Sequence, residues 1–505
     1  MKLPGRGAST ASPVVEMGAL FFYLSGVSPL SDPDAVDYRI PAESPAIMNQ
    51  PSRATLTQGP VRAHLIRLTL PMILGLVAMM GFFLADTLFV AQLGSRYLAA
   101  MSFTFPVVMA LSSLGIGLMA GTSSVLSRLI GQGREHQVRR LATDALLLAL
   151  FLAVGFSALG LATIDPLFRL LGASEQVLPL IHDYMDIWYL SLPLILPPMA
   201  GIGAIRATGD ARGQSAVLIF ASIANLILDP LLIYGLAGLP RLELQGAALA
   251  SLLSRLISVA IGYYVIQVRH RLLEFSVPTW AEFSASLKAI THIAGPAAGT
   301  NLIIPLANGV VTSLVAVEGA EAVAGFGAAY RIESVAMIVF FAMSAMIGPF
   351  VGQNLGAGQI PRILDAVRQC LWFCLGFGLL LAVLLAACAY PVAGWFSAEP
   401  VVIHSTVLYL RIVPIGYASA GMVMIVNAVF NGAGRPLHAT GISLLRMLVL
   451  YLPLAGLGAA LSGLGGLYSG LFAANLLAGL FAVFWWRRFT KSLQSIPVPG
   501  SGFQQ

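Results

Sequence analysis

The chain has 505 residues, of which 58% are hydrophobic and only 10% are charged, with a formal net charge of +6 at pH 7. A typical soluble domain carries about 25% charged residues, so this composition excludes an ordinary soluble protein and indicates one embedded in a membrane. The basic residues lie in short loops between apolar stretches, which fits membrane topology better than nucleic-acid binding. The seven histidines form no metal-spaced cluster, and no metal site is predicted from them.

Residues 1–62 are predicted to form a disordered N-terminal tail, because Pro, Ser, Asp and Gly recur there without a helical period. Its one apolar run, residues 17–27, is too short to cross a bilayer. No small-residue cleavage site of a signal peptide follows that run. A second methionine, Met48, precedes the first long apolar stretch, so we expect a chain that starts at Met48 to insert and function.

Twelve apolar stretches follow, each long enough to cross a bilayer as a helix. Basic residues concentrate in one set of alternating loops, whereas the other set holds only Arg96, Arg169 and Arg241. The positive-inside rule then places both termini in the cytoplasm, and an even number of spans agrees with it. The spans are expected near residues 65–91, 97–124, 141–164, 181–206, 214–236, 245–268, 289–316, 322–350, 365–390, 401–431, 439–460 and 464–487.

The two halves of the chain repeat at a constant offset of 225 residues. An offset of six spans keeps the same orientation, so the repeats are parallel and related by an axis normal to the membrane. The expected fold is therefore an all-α membrane protein with twelve transmembrane helices in two six-helix lobes. The matched landmarks are Leu93-Gly94 with Glu318-Gly319, Pro71 with Pro296, Gly131-Gln-Gly133 with Gly356-Ala-Gly358, and Thr208-Gly209 with Ala433-Gly434.

The repeat also sets the expected domain limits. They are an N-lobe at 63–270, an inter-lobe cytoplasmic linker at 271–288, a C-lobe at 289–488 and a C-terminal tail at 489–505. Two lobes with a cleft between them are the architecture on which alternating access depends.

Four oxygen-bearing side chains are predicted to lie at a similar depth in the first half. Asn225 and Asp229 are four residues apart in the fifth span, so they share one helix face, and Asp86 and Ser251 lie in the first and sixth spans. Intramembrane carboxylates are costly and are functional candidates by default. Such a group suits a small hard cation or a shared proton. The alternative is that each carboxylate pairs separately with an arginine or the backbone and only joins helices.

Symmetric packing does not require this cluster. The second-half positions that correspond to Asp86, Asn225 and Asp229 hold Val311, Leu450 and Leu454.

Other candidates are less distinctive. Arg331 and Glu333 in the eighth span are two residues apart and point to different helix faces. They are candidates for gating or substrate contact, or for ordinary pairing. Phe103 and Phe105 could line an apolar cleft or simply pack against lipid or core. Pro71 could act as a hinge in the first helix, although prolines near a helix start are often structurally neutral.

Several motifs taken in order resemble those of the MATE (multidrug and toxic compound extrusion) family, closer to its DinF-like branch than to NorM, over about residues 60–488. The motifs are Ala85-Asp-Thr87, Ala204-Ile-Arg-Ala-Thr-Gly-Asp210, Asn225-Leu-Ile-Leu-Asp-Pro230, Gly246-Ala-Ala-Leu-Ala-Ser251, Ala329-Tyr-Arg-Ile-Glu-Ser334 and Gly348-Pro-Phe-Val-Gly-Gln-Asn-Leu-Gly-Ala-Gly358.

The resemblance implies cation-driven export of amphipathic, often cationic compounds by a protein that is not an enzyme and needs no cofactor. It places the family's N-lobe cation site on Asp86, Asn225 and Asp229, with Ser251 where the family often has Thr. Sodium at these residues would be the only bound metal. NorM-type members use acidic residues in the seventh and tenth spans, where this chain has only asparagines. The polar residues there are Asn301, Asn308, Asn427 and Asn431.

We therefore expect a monomeric antiporter, coupled to H⁺ or Na⁺, in the plasma (inner) membrane, whose partners are small amphipathic molecules and the lipid bilayer but no nucleic acid. Two nearby carboxylates in a poor solvent cannot both stay ionised cheaply, which would couple cation loading to movement. One alternative is a flippase for lipid-linked sugars, although buried acids disfavour a pyrophosphate. The other is an intramembrane aspartyl protease, whose Gly-x-Gly-Asp motif is missing around Asp86 and Asp210.

Overall fold

The computed structural model describes residues 54–93 and 95–494, and this part of the chain is helical with no β-strand. Turns of π-helix occur at Tyr264–Arg269 and Leu445–Tyr451. The helices in chain order are α1 Val61–Ala91, α2 Ser95–Gly131, α3 Glu135–Leu170, α4 Leu178–Leu190, α5 Leu196–Ala207, α6 Ala211–Tyr234, α7 Glu243–Tyr263, α8 Trp280–Ala316, α9 Ala320–Ala336, α10 Ile338–Gly356, α11 Ile360–Phe396, α12 Pro400–Ile412, α13 Tyr417–Gly432, α14 Pro436–Leu444 and α15 Leu452–Gln494.

The helices of the described chain account for twelve membrane crossings. Ten helical stretches of the described chain are long and apolar enough to span, and the pair α4 and α5, bent by 50°, forms another crossing. One of the ten, Pro436–Lys491, is a hairpin, because its backbone leaves helical geometry at Ser462 and Gly463. Gly458 then packs directly against Gly466 on the returning segment. The prediction of an all-α membrane protein with twelve transmembrane helices is confirmed.

Several helices extend past the predicted limits, because hydropathy does not register polar helix ends. Helix α1 begins at Val61, inside the predicted tail, and α15 continues to Gln494, beyond the predicted C-lobe. Helix α8 begins at Trp280, inside the predicted linker, where a capping box starts it. The Thr279 hydroxyl accepts from the Glu282 N–H at 3.3 Å, and Glu282 Oε2 accepts from the Thr279 N–H at 3.0 Å. Residues 1–53 and 495–505 lie outside the described residues.

The two lobes meet along α2, which packs against α8 and α10 of the second half. Near the face where α1 begins, their backbones approach too closely for a side chain. A Cβ atom on Gly131 would lie 2.1 Å from the Gln353 carbonyl oxygen, and one on Gly356 would lie 2.2 Å from that of Arg128. Glycine at both positions therefore allows a closed seam between the lobes at this face.

The segment just before α1 reinforces that seam. Leu56 is 3% exposed, and its N–H donates to Gln353 Oε1 at 3.1 Å. The same Gln353 amide donates to the carbonyl of Ala207 in the first half at 2.7 Å. Arg362 of α11 donates to the carbonyls of Gly59 at 2.7 Å and Leu56 at 3.1 Å. Residues 54–59, expected to be disordered, thus connect both lobes at the closed face.

Candidate cation site and substrate cavity

Helix α6 positions the predicted cation residues because it packs between α1 and α7. Asn225 and Asp229 lie one turn apart on its buried face and are 1% and 0% exposed. Ser251 and Ser254 of α7 are buried opposite them. The structure therefore brings together Asn225, Asp229 and Ser251, three of the four predicted residues, in the interior of the first lobe.

Asn225 is the connecting member of this group. With its amide nitrogen directed toward Asp229, Nδ2 donates to Asp229 Oδ2 at 2.8 Å, and Oδ1 accepts from the Ser251 N–H at 3.1 Å. In the opposite orientation Nδ2 faces the hydroxyls of Ser251 and Ser254, both at 3.4 Å. We assign the first orientation, because its bonds are shorter and no acceptor faces an acceptor.

The other carboxylate oxygen of Asp229 is left without a partner. Oδ1 is buried and forms no hydrogen bond within the described residues. A buried carboxylate oxygen in this condition is costly. A proton on it, or a small cation held beside it by neighbouring oxygens, would remove that cost.

Asp86 of α1, the fourth predicted residue, lies near this group. It is half-buried and lies within electrostatic range of Asp229, of Arg255 on α7 and of the buried Tyr184. Arg255 donates to the Ser191 hydroxyl at 2.8 Å, so it joins α7 to the bend after α4. Neither Arg255 nor Tyr184 was predicted as a site residue. The spacing of Arg255, one turn after Ser251 on the same face, is the signal that could have placed it beside the cluster.

The corresponding part of the second lobe is apolar. Val311 and Leu450, at the positions equivalent to Asp86 and Asn225, are 0% and 5% exposed. They are packing residues, so the polar cluster is a feature of the first half.

A separate cavity of about 360 Å³ lies beside the closed seam and takes most of its wall from the second lobe. Its volume is in the range of small-molecule sites. Ser123 and Ser124 of α2 and Arg206 of α5 form the first-lobe part of the wall. The polar second-lobe residues in the wall are Thr300, Asn301, Asn308, Tyr330, Glu333, Ser334, Ser344, Asn427, Asn431, Ser443, Arg446, Tyr451 and Asn475.

The Glu333 carboxylate is surrounded by compensating groups. The Tyr409 hydroxyl donates to it, and Arg446 lies within electrostatic range. Arg446 also donates through Nε to Asn475 Oδ1 at 3.0 Å. The opposite charges of Glu333 and Arg446 therefore attract each other at the cavity wall, and no ion pair joins the two side chains among the described residues.

Two asparagines hold the adjoining wall. Asn308 donates to the Tyr330 hydroxyl at 2.8 Å, and Asn427 donates to the Ser443 hydroxyl at 2.9 Å. The Asn427 carbonyl oxygen is buried and has no hydrogen-bond partner in the described chain. It is an acceptor to which a bound molecule could donate a hydrogen bond.

Of the four predicted gating or substrate residues, only Glu333 lines the cavity. Arg331 is exposed, Phe103 is half-buried and Phe105 is 57% exposed, and none of them belongs to the wall. Pro71 lies within α1, which is one continuous helix through that residue. Sequence reasoning missed Arg206 and Arg446 as cavity residues, because the wall combines segments that are far apart in the chain.

Two lobes that share the wall of a cavity, with a carboxylate cluster in the first lobe and Glu333 in the second, are the features of a polytopic membrane transporter. The MatE family model matches the chain twice, at residues 71–231 and 296–457, and the matches start at the paired landmarks Pro71 and Pro296. The chain therefore belongs to the MATE family. Members of this family are transporters, so the prediction that the chain is not an enzyme is confirmed.

Individual relatives agree with this assignment. The chain is 44% identical to a protein of Shewanella oneidensis named FAD transporter, over 85% of this chain and 95% of that protein. It is 26% identical to the probable multidrug resistance protein YpnP of Bacillus subtilis, over 85% and 96% of the two chains. The crystal structure of the Vibrio cholerae MATE transporter VcmN in the bent form superposes with a TM-score of 0.80 and 31% identity, over 88% of this chain and 99% of that one.

Proposed function

We propose that this chain is a cation-coupled antiporter that exports an amphipathic substrate by alternating access. The observation that carries the proposal is the buried Asp229 oxygen without a partner, beside Asn225 and within range of Asp86. Loading H⁺ or Na⁺ removes the cost of burying this carboxylate, whereas releasing the cation favours an arrangement that hydrates it. A cation that binds one arrangement of the lobes more tightly than the other shifts the protein toward the arrangement that it binds.

The loop charges support an orientation with both termini in the cytoplasm of the inner (plasma) membrane. The closed seam then faces the cytoplasm, and the cation site lies toward the outer end of α1 and α6. Cation binding from outside and substrate release to outside would occur in this arrangement. Because one chain contains both the cation site and the cavity, a monomer suffices.

We propose a flavin nucleotide as the substrate. Support comes from the Shewanella oneidensis FAD transporter, which matches the chain along 95% of its own length, and from the many hydrogen-bonding groups in the cavity wall. Export of hydrophobic drugs is the second candidate. It is favoured by the Bacillus subtilis multidrug relative and by the apolar side chains of Met337, Phe341, Met424 and Met447 in the same wall.

Transport by the purified protein in proteoliposomes tests this function. Vesicles loaded with FAD or with ethidium receive either a proton gradient or a sodium gradient, and release is followed by fluorescence. We expect one of the two gradients to drive FAD release, and Asp229→Asn to abolish the gradient dependence. FAD release that is equally fast without any gradient would contradict coupling, whereas gradient-driven release of ethidium but not FAD would support the drug exporter.

A further inference from the structure

Arg206 is the one charge in the cavity wall that the described residues leave uncompensated. Of the three ionic side chains in the wall, Glu333 and Arg446 lie within electrostatic range of each other. Arg206 forms no ion pair within the described chain. The cavity therefore carries an excess positive charge on its first-lobe side.

The hydrogen bonds of Arg206 are also weak. Nε faces Gln214 Oε1 at 3.4 Å, and one terminal nitrogen faces the sulfur of Met119, also at 3.4 Å. Arg206 is half-buried. A guanidinium has five N–H donors, and removing part of it from water without an anion is costly. Arg206 lies in the last turn of α5, where the carbonyl groups at the helix end favour a cation. That interaction does not explain why the Arg206 side chain lines the cavity.

A second observation points to the same part of the wall. Ser123 of α2 lines the cavity, is 4% exposed, and its hydroxyl has no hydrogen-bond partner among the described residues. The neighbouring Ser124 hydroxyl is already used, since it donates to the Asn431 carbonyl. A guanidinium and a free hydroxyl in one wall form a suitable site for phosphate oxygens.

We propose that Arg206 is the anion-binding residue of the substrate cavity and that it selects phosphorylated flavins over riboflavin. This inference rests on the proposed function. The phosphate end of the flavin binds Arg206 and Ser123. The ring system lies toward the second lobe, where the unpartnered Asn427 carbonyl oxygen accepts from the ring N–H. The selectivity follows because only the nucleotide forms supply the missing negative charge.

Equilibrium binding of riboflavin, FMN and FAD to the purified full-length protein, measured by flavin fluorescence quenching, tests the inference. Hydrogen bonds to charged groups contribute about 1.5–3 kcal/mol, which corresponds to roughly 10- to 150-fold in affinity. We expect the wild type to prefer FMN to riboflavin by roughly that factor. Arg206→Gln should remove the preference, because it lowers the affinity for FMN and FAD far more than the affinity for riboflavin, and Arg206→Lys should retain part of it.

Arg212→Gln is the matched control. It removes the same charge six residues away, from an exposed side chain that does not line the cavity, and it should keep the wild-type preference. An unchanged preference in Arg206→Gln, or an equal loss of affinity for all three flavins, would overturn the anion-binding role while leaving flavin transport intact. A wild type that binds none of the three would instead overturn the proposed substrate, and this inference with it.

Discussion

Replacing Gly356 by alanine should shift the protein away from the arrangement seen here. A Cβ atom at this position would lie 2.2 Å from the Arg128 carbonyl oxygen of the other lobe. The obstructing atom belongs to a helix backbone, so α2 and α10 must separate for the methyl group to fit. Within a single helix, by contrast, alanine is more favourable than glycine by up to about 1 kcal/mol. The substitution therefore acts on the seam between the lobes and not on the stability of α10.

The expected magnitude follows from the overlap. Overpacking a close contact typically costs about 1–3 kcal/mol. A difference of that size changes the ratio of two conformations roughly 5- to 150-fold. The seam should therefore open in a large fraction of molecules, and substrate export should slow because the outward-open state is depleted.

Distances between two spin labels measure this shift directly. Gln132 and Gln359 are exposed at the closed face, one in each lobe, and are suitable labelling positions once the exposed Cys388 is replaced. We expect Gly356→Ala to lengthen the distance between them. Gly376→Ala is the matched control, because a Cβ atom there meets nothing within 4 Å. Identical distance distributions in Gly356→Ala and the wild type would refute the reasoning.

Three further predictions concern the cation site, the equivalent position in the second lobe and the loop after α5. Asp86→Asn and Asp229→Asn should each abolish gradient-driven efflux at normal expression, and normal efflux by both would remove the site assignment. Leu450→Met should lower the free energy of unfolding by less than about 1.5 kcal/mol and leave cation coupling intact. A loss of coupling in this variant would show that the second half takes part in cation coupling. Although burial acts to raise it, the hydrogen bonds from His270 and the Gly213 N–H keep the pKa of Asp210 below its ordinary 3.8. The ionised Asp210 carboxylate should stabilise the fold fully above pH 3.8, and this stabilisation should disappear as the pH falls through the lower pKa of Asp210 in the folded protein. Thermal unfolding of Asp210→Ala should lack this pH dependence.

The spans and the polar cluster were accessible from the sequence because each depends on local pattern. Long apolar stretches predict membrane helices, and the spacing of Asn225 and Asp229 fixes their common face in any α-helix. The constant offset between the halves then predicted parallel lobes. None of these inferences required knowledge of how the helices pack.

The cavity could not be predicted, because its wall depends on packing between distant segments. Arg206 and Asn427 are separated by more than two hundred residues, and only the arrangement of the lobes brings them into one wall. The packed segment around Leu56 was missed for a similar reason. Its polar sequence suggested a tail, but its partners Gln353 and Arg362 come from the other half of the chain.

The release of cations on substrate binding tests the central claim most directly. Purified protein in weakly buffered detergent receives FAD, while a pH dye and a sodium-sensitive dye record the ions released. We predict release by the wild type and by Glu333→Gln, and none by the Asp86→Asn/Asp229→Asn double variant. Release that persists in the double variant but disappears in Glu333→Gln would place the coupling site in the second lobe and contradict the account.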